Sequence, residues 1–185
     1  MKLKTRLKNF NNTFPLIVGI TAVLWMIEIF NISIDHSLCI YGIYPRTEFG
    51  LRGILLAPWI HGSVEHLMLN TIPFIVLGSF IAGEGKKRFI KVTLFIVIFA
   101  GSATWLAAAK GYHVGLSGVL FGYFGYLLAI GYYNRDLVSI LLAAVVIFFY
   151  GSMIWGVFPS EGPVSWEGHL FGLLAGILSA KVLRK

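Results

Sequence analysis

The chain has 185 residues, of which 57% are hydrophobic and only 12% are charged, and its mean hydropathy is +0.81. Soluble domains carry about 25% charged residues, so this composition excludes an ordinary soluble protein and predicts one that crosses a membrane several times. The net charge of +7 comes from short basic patches between apolar runs, which is typical of cytoplasmic loops, so we expect no nucleic-acid binding. The single cysteine, Cys39, excludes an internal disulfide.

Six apolar stretches have the length that a membrane-spanning helix needs, which is about 17–25 residues. They are Phe14–Ile34, His66–Gly83, Phe89–Ala109, Ser117–Tyr133, Leu137–Phe158 and Trp166–Val182. The first stretch is too long for the core of a signal peptide, so we expect it to be retained. The sequence therefore predicts an all-α membrane protein, with a basic N-terminal segment at 1–13 and a single six-helix membrane domain at 14–185.

The positions of Lys and Arg predict how these spans are oriented. If the N-terminus is cytoplasmic, the outer segments contain only Arg46, Arg52 and Lys110 of the 15 basic residues. The cytoplasmic segments then contain Lys2, Lys4, Arg6, Lys8, Lys86, Lys87, Arg88, Lys91, Arg135, Lys181, Arg184 and Lys185. Because cytoplasmic loops carry the excess of basic residues, both termini are predicted to be cytoplasmic.

Polar residues lie near the outer end of three of these spans. A rise of 1.5 Å per residue, counted from the basic residues on the cytoplasmic side, places His66 about 30 Å, Ser117 about 27 Å and His169 about 22 Å away. The hydrocarbon core is about 30 Å thick, so all three lie in its outer half. Polar groups are costly in lipid unless they face one another or water, and we therefore expect them to form one site.

These residue types suit acyl transfer. Ser117 opens a helix next to Gly115 and Gly118, where a backbone N–H points outward, although a simple N-cap serine would look the same. His66 and Asn70 are four residues apart and share a helix face, from which both can donate hydrogen bonds to an oxyanion. The alternative for that pair is a polar contact between helices.

Two stripes of small residues indicate how Ser117 and His169 can meet. His169 is followed on its own face by Gly172, Gly176 and Ala180, and Ser117 is followed by Gly118, Gly122 and Gly125. Small residues let two helices approach closely, so docking of these faces would form a Ser–His dyad. We expect Phe121, one turn after Ser117, to stack on His169. The carboxylates Glu65 and Glu167 are expected at the membrane interface, which leaves the dyad without an acidic third member.

Together these motifs resemble the rhomboid family of intramembrane serine proteases. They are the H-x-x-x-N of His66 and Asn70, the G-x-S-G of Gly115 to Gly118, and a histidine followed by G-x-x-x-G in the last span. The chain differs from many members at Arg52 and Gly53, where Trp-Arg is common, and its acidic motif around Glu84 is irregular.

The resemblance implies a role for each site residue. Ser117 is expected to be the nucleophile and His169 the general base and acid. His66, Asn70 and the Ser117 N–H are expected to bind the oxyanion. His61 matches a histidine often found upstream of the H-x-x-x-N, and we expect it at the mouth of the site. The accessory residues are His61, Phe121 and Gly115, and no metal or organic cofactor is implied.

The expected function is cleavage of transmembrane segments of membrane proteins by an enzyme embedded in a lipid bilayer. The sequence does not predict its oligomeric state. The simplest location is a bacterial plasma membrane, with the site open to the extracytoplasmic side. One alternative is a catalytically silent rhomboid-like protein that binds or chaperones membrane proteins. Another is a metal carrier that uses His61, His66, His113 and His169.

Overall fold

The computed structural model describes residues 3–160 and 164–183, and the secondary structure of this part of the chain is helical. The α-helices are α1 (Leu3–Ser33), α2 (Gly53–Leu56), α3 (Val64–Ala82), α4 (Lys86–Ala107), α5 (Ser117–Asn134), α6 (Leu137–Tyr150) and α7 (Trp166–Leu183). Shorter 3₁₀ segments are Ser37–Tyr41, Phe49–Arg52, Ala57–Trp59 and Gly151–Val157. The basic residues Lys2, Arg184 and Lys185, which the orientation prediction uses, lie outside the described residues.

Four segments are long and apolar enough to cross a membrane. They are Lys4–Ser33, Val64–Ala82, Lys86–Ala107 and Leu137–Val157, where the last combines α6 with the 3₁₀ segment that follows it. The predicted spans at Ser117–Tyr133 and Trp166–Val182 are also helices, α5 and α7, but they are richer in glycine and are more deeply enclosed by the other helices. The all-α prediction is confirmed for the described residues, while the count of six spans stays a prediction.

Helix α5 forms the centre of the bundle and packs most extensively on α7. The two predicted glycine stripes face each other across this contact. A Cβ atom on Gly172 would collide with the carbonyl oxygen of Gly118, and one on Gly176 would collide with that of Gly122. Since the two backbones touch at these points, the helices can approach closely only because side chains are missing there. This contact brings the starts of α5 and α7 together.

The long segment between α1 and α3 is held by two arginines, of which Arg46 ties it to α4 and Arg52 braces it internally. Arg46 donates hydrogen bonds to the carbonyl oxygens of Leu106 and Ala108, at 3.1 and 2.8 Å, at the C-terminal end of α4. The guanidinium of Arg52 lies 4.2 Å from the centre of the Tyr41 ring and 3.4 Å from that of Phe49. These cation–π contacts fix the loop at the position where the sequence departs from the common Trp-Arg.

Candidate active site

Ser117 and His169 lie on the two glycine-packed helices and face each other. Ser117 is the first residue of α5, and His169 lies in the first turn of α7, where it is only 8% exposed. The Ser117 Oγ and the His169 Nε2 are 2.8 Å apart. The fold therefore brings a hydroxyl and an imidazole, 52 residues apart in the sequence, to hydrogen-bonding distance.

A backbone carbonyl stands where a Ser–His–Asp triad has its aspartate. The Nδ1 of His169 lies 3.0 Å from the carbonyl oxygen of Gly156, in the 3₁₀ segment after α6. A carbonyl oxygen can only accept a hydrogen bond, so Nδ1 carries the proton and Nε2 is left with its lone pair. The Ser117 hydroxyl therefore donates to Nε2, which is the direction of transfer that a general base requires.

The Phe121 ring supports the face of this imidazole. The two ring centres are 4.1 Å apart and the ring planes differ by 10°. A Cβ atom on Gly156 would lie 2.7 Å from the Phe121 Cζ and 3.3 Å from the His169 Nδ1, so glycine is needed where the 3₁₀ segment crosses both rings. The position of the imidazole is thus set by a stacked ring, a carbonyl and the serine together.

His66 lies against the loop that leads into Ser117. Gly115 has a φ of 111°, and a Cβ atom there would lie 2.6 Å from the Cε1 and 2.7 Å from the Nε2 of His66. Backbone conformation and lack of space both require glycine at this position. The buried Asn70 donates one amide N–H to the His66 carbonyl oxygen, at 2.9 Å, and keeps a second N–H. These groups and the N–H at the start of α5 are donors of the kind that can stabilise an anion.

A cavity of about 60 Å³ opens beside Ser117 between α2, α4, α5 and the start of α7. Its polar lining residues are Thr104, His113, Ser117 and Ser165. A water molecule needs roughly 10–15 Å³ of such space, so the cavity can hold several water molecules. The cavity therefore provides room for water next to Ser117.

Comparisons with known proteins identify the family of this chain. The family model described as Rhomboid domain matches residues 48–185, which include Ser117, His169, His66, Asn70, Phe121 and Gly156. The chain belongs to the rhomboid family. Together with the long apolar helices, this membership makes it an integral membrane protein.

Several relatives of this rhomboid chain are similar over most of its length. An uncharacterized protein of Mycobacterium leprae is 40% identical over 176 residues, which cover 90% of this chain and 70% of the relative. An uncharacterized protein of Mycobacterium tuberculosis is 37% identical over 176 residues, covering 90% and 73%. A Bacillus subtilis protein named "Putative rhomboid protease YdcA" is 25% identical over 178 residues, covering 88% and 83%.

His61 does not lie at the mouth of this rhomboid site, and that expectation is wrong. The residue is fully buried, and its Nε2 accepts a hydrogen bond from the Leu116 N–H at 3.2 Å. Leu116, the residue just before Ser117, is therefore held by an imidazole that must stay neutral to accept this hydrogen bond. Burial, with a smaller contribution from nearby His66, lowers the pKa of His61 to about 3.

Glu167, which the sequence places at the membrane interface, is enclosed by the protein. It is buried, and its carboxylate accepts a hydrogen bond from the Ala109 N–H at 3.0 Å, which joins α7 to the loop after α4. Gly156 and Ser165 also lie at the site and are not predicted from the sequence. Their roles come from a backbone carbonyl and from a contact between distant loops, and neither has a signature in residue spacing.

The histidines are not arranged as a metal site. Among the residues that the structure describes, no group of three or more His, Cys, Asp or Glu side chains could hold a metal ion. The imidazole of His113 bonds through Nδ1 to the Ser165 hydroxyl and through Nε2 to the Ala109 carbonyl, so neither nitrogen is left as a ligand. Of the four histidines of the metal-carrier alternative, His61 and His66 contact each other, while His113 and His169 are held by other partners.

Proposed function

We propose that this rhomboid is an intramembrane serine endopeptidase that cleaves transmembrane segments of other membrane proteins with a dyad of Ser117 and His169. The observation that carries the proposal is the 2.8 Å contact between Ser117 Oγ and His169 Nε2, with Nδ1 held by a carbonyl. A neutral imidazole in this tautomer can accept the proton of the Ser117 hydroxyl without a rearrangement of the dyad.

The first half of the reaction forms an acyl-enzyme. The Ser117 Oγ attacks the scissile carbonyl carbon while its proton moves to His169 Nε2. The carbonyl oxygen becomes an oxyanion, which receives hydrogen bonds from the Ser117 N–H, His66 and Asn70. The imidazolium that forms is stabilised by the Gly156 carbonyl and by the face of Phe121. His169 then gives its proton to the leaving amine, and the peptide bond breaks.

The second half uses water from the cavity beside Ser117. His169 takes a proton from this water, which attacks the acyl carbon, and returns the proton to Ser117 as the acid product leaves. No metal or organic cofactor enters this scheme. A helical substrate must unwind locally to present its carbonyl, so we expect helix-breaking residues near the cleaved bond.

We place this protein in a bacterial plasma membrane, with six spans, both termini in the cytoplasm and the site open to the extracytoplasmic side. The distribution of basic residues supports this orientation, because few of them fall in the outer segments. The partners are then the lipid bilayer and its transmembrane protein substrates.

The test is cleavage of a model transmembrane substrate by purified protein reconstituted in liposomes. Wild-type protein should cleave it, and Ser117→Ala and His169→Ala should reduce cleavage to background while they keep the wild-type unfolding temperature. Cleavage by Ser117→Ala would overturn the serine mechanism. Binding of substrates without cleavage by the wild type would instead indicate a silent rhomboid-like chaperone, and loss of cleavage on chelation would indicate a metal enzyme.

A further inference from the structure

A second serine, Ser165, and a histidine, His113, line the cavity beside Ser117, and neither is part of the proposed dyad. The His113 Nδ1 lies 2.6 Å from the Ser165 Oγ, and both side chains contact the cavity beside Ser117. Ser165 immediately precedes α7, the helix that carries His169, and His113 lies in the loop 108–116 that leads into Ser117.

Both ring nitrogens of His113 and the hydroxyl of Ser165 already have hydrogen-bond partners, and this determines the role of the pair. The Nε2 of His113 lies 3.0 Å from the Ala109 carbonyl oxygen, which can only accept, so Nε2 carries the proton and Nδ1 accepts from the Ser165 hydroxyl. The same Ser165 oxygen accepts from the Gly168 N–H at 3.1 Å and so caps α7. Neither a free base nor a free hydroxyl proton remains, so the pair is suited to hold structure and not to react.

The contact has rigid supports on both sides. The backbone of His113 exchanges two hydrogen bonds with Ile43, at 2.9 and 3.0 Å, in an isolated antiparallel bridge. Glu167 makes a parallel tie from the first turn of α7 to Ala109 in the same loop. Because this loop continues directly into Ser117, one short segment fixes the start of α5 and the start of α7 together.

We infer that His113 and Ser165 are positioning residues, which set the distance between nucleophile and base by clamping the start of α7 to the loop before α5. The inference rests on the proposed function. The clamp acts at the end of α7 nearest His169, while the glycine contacts fix the rest of the helix. A displacement of about 1 Å between reacting groups costs roughly 10²-fold in rate.

The experiment compares four variants in the reconstituted cleavage assay. His113→Phe and Ser165→Ala each remove the clamp, while His113→Gln keeps one donor and one acceptor. Lys110→Gln changes an exposed residue of the same loop and serves as the matched control. We expect His113→Phe to lower kcat about 10- to 100-fold with KM nearly unchanged. His113→Gln should recover most of this activity and keep the wild-type pH profile.

The double variant His113→Phe with Ser165→Ala should be no slower than the slower single variant, because the two residues act as one unit. The inference would be overturned if the losses of the two single variants multiplied in the double variant. It would also be overturned if the kcat of His113→Phe stayed within twofold of wild type. A folded His113→Gln that is as inactive as His113→Phe would also overturn it, since the imidazole would then act directly.

A second readout does not depend on cleavage. The imidazole ¹H–¹⁵N NMR signal of His169, assigned with His169→Ala, reports the hydrogen bonds of the base in the folded protein. It should shift in His113→Phe and return in His113→Gln, and an unshifted signal would contradict the clamp. If wild-type protein failed to cleave while this signal behaved as expected, the proposed function would fail and the positioning role would stand.

Discussion

Replacement of Gly156 by alanine tests how finely the base must be placed. The added Cβ atom would lie 2.7 Å from the Phe121 Cζ, whereas nonbonded carbon atoms prefer about 3.5–4.0 Å. The Phe121 ring must therefore retreat by about 1 Å. Because this ring is buried and stacked on His169 at 4.1 Å, the imidazole moves with it.

The expected cost of Gly156→Ala falls on catalysis more than on stability. A shift of about 1 Å in the base should lower kcat roughly 10²-fold. Overpacking of this kind typically costs about 1–3 kcal/mol, so a folded protein should remain. The assay is cleavage of a transmembrane substrate in liposomes, measured over a range of substrate concentrations, together with thermal unfolding.

Gly151→Ala is the matched control in the same 3₁₀ segment. A Cβ atom there would meet only the Ile147 Cγ2, at 3.8 Å, which is an ordinary contact. This variant should keep wild-type kcat. The reasoning is refuted if folded Gly156→Ala cleaves within twofold of wild type, or if both variants lose activity equally.

Three further predictions concern stability and are measured by thermal unfolding in detergent. Gly176→Ala should unfold at a markedly lower temperature than wild type, because its Cβ would collide with the Gly122 carbonyl. Gly19→Ala is the control and should keep the wild-type unfolding temperature, because a Cβ there meets open space. Equal effects of the two variants would contradict the close helix contact. The pKa of His61 is about 3 in the folded protein and near 6.5 in the unfolded chain. The stability that depends on neutral His61 is therefore complete above about pH 6.5. This stability is lost as the pH falls toward 3, at up to about 1.4 kcal/mol per pH unit. His61→Gln should therefore lose less stability than wild type between pH 7 and 4.5, and an equal loss would contradict this origin. Asp136→Ala should cost about 1 kcal/mol because the carboxylate caps α6 by accepting from a backbone N–H, and Asp136→Asn, which keeps an acceptor, should lose less.

The elements of this fold are readable from the sequence because hydrophobicity and helix length are local properties. The glycine stripes after Ser117 and His169 predict which two helices touch, and the structure has that contact. Phe121 follows Ser117 by one turn, so its stacking on the base is also predictable from helical spacing.

What the sequence does not predict depends on contacts between distant segments. His61 looks like a polar residue at an opening, but it is buried, and its Nε2 accepts a hydrogen bond from the Leu116 N–H. Glu167 looks interfacial, but the N–H of Ala109 holds it inside. The carbonyl of Gly156 has no signature in the sequence, because the backbone of every residue offers the same acceptor.

The most direct test of the account is covalent labelling of the proposed nucleophile. Purified wild-type protein is treated with a fluorophosphonate, which reacts with activated serine hydroxyls, and the modified residue is located by mass spectrometry. The account predicts a single adduct on Ser117, which is lost in His169→Ala. An adduct on another serine in a preparation that cleaves substrate, or undiminished labelling of Ser117 in His169→Ala, would contradict it.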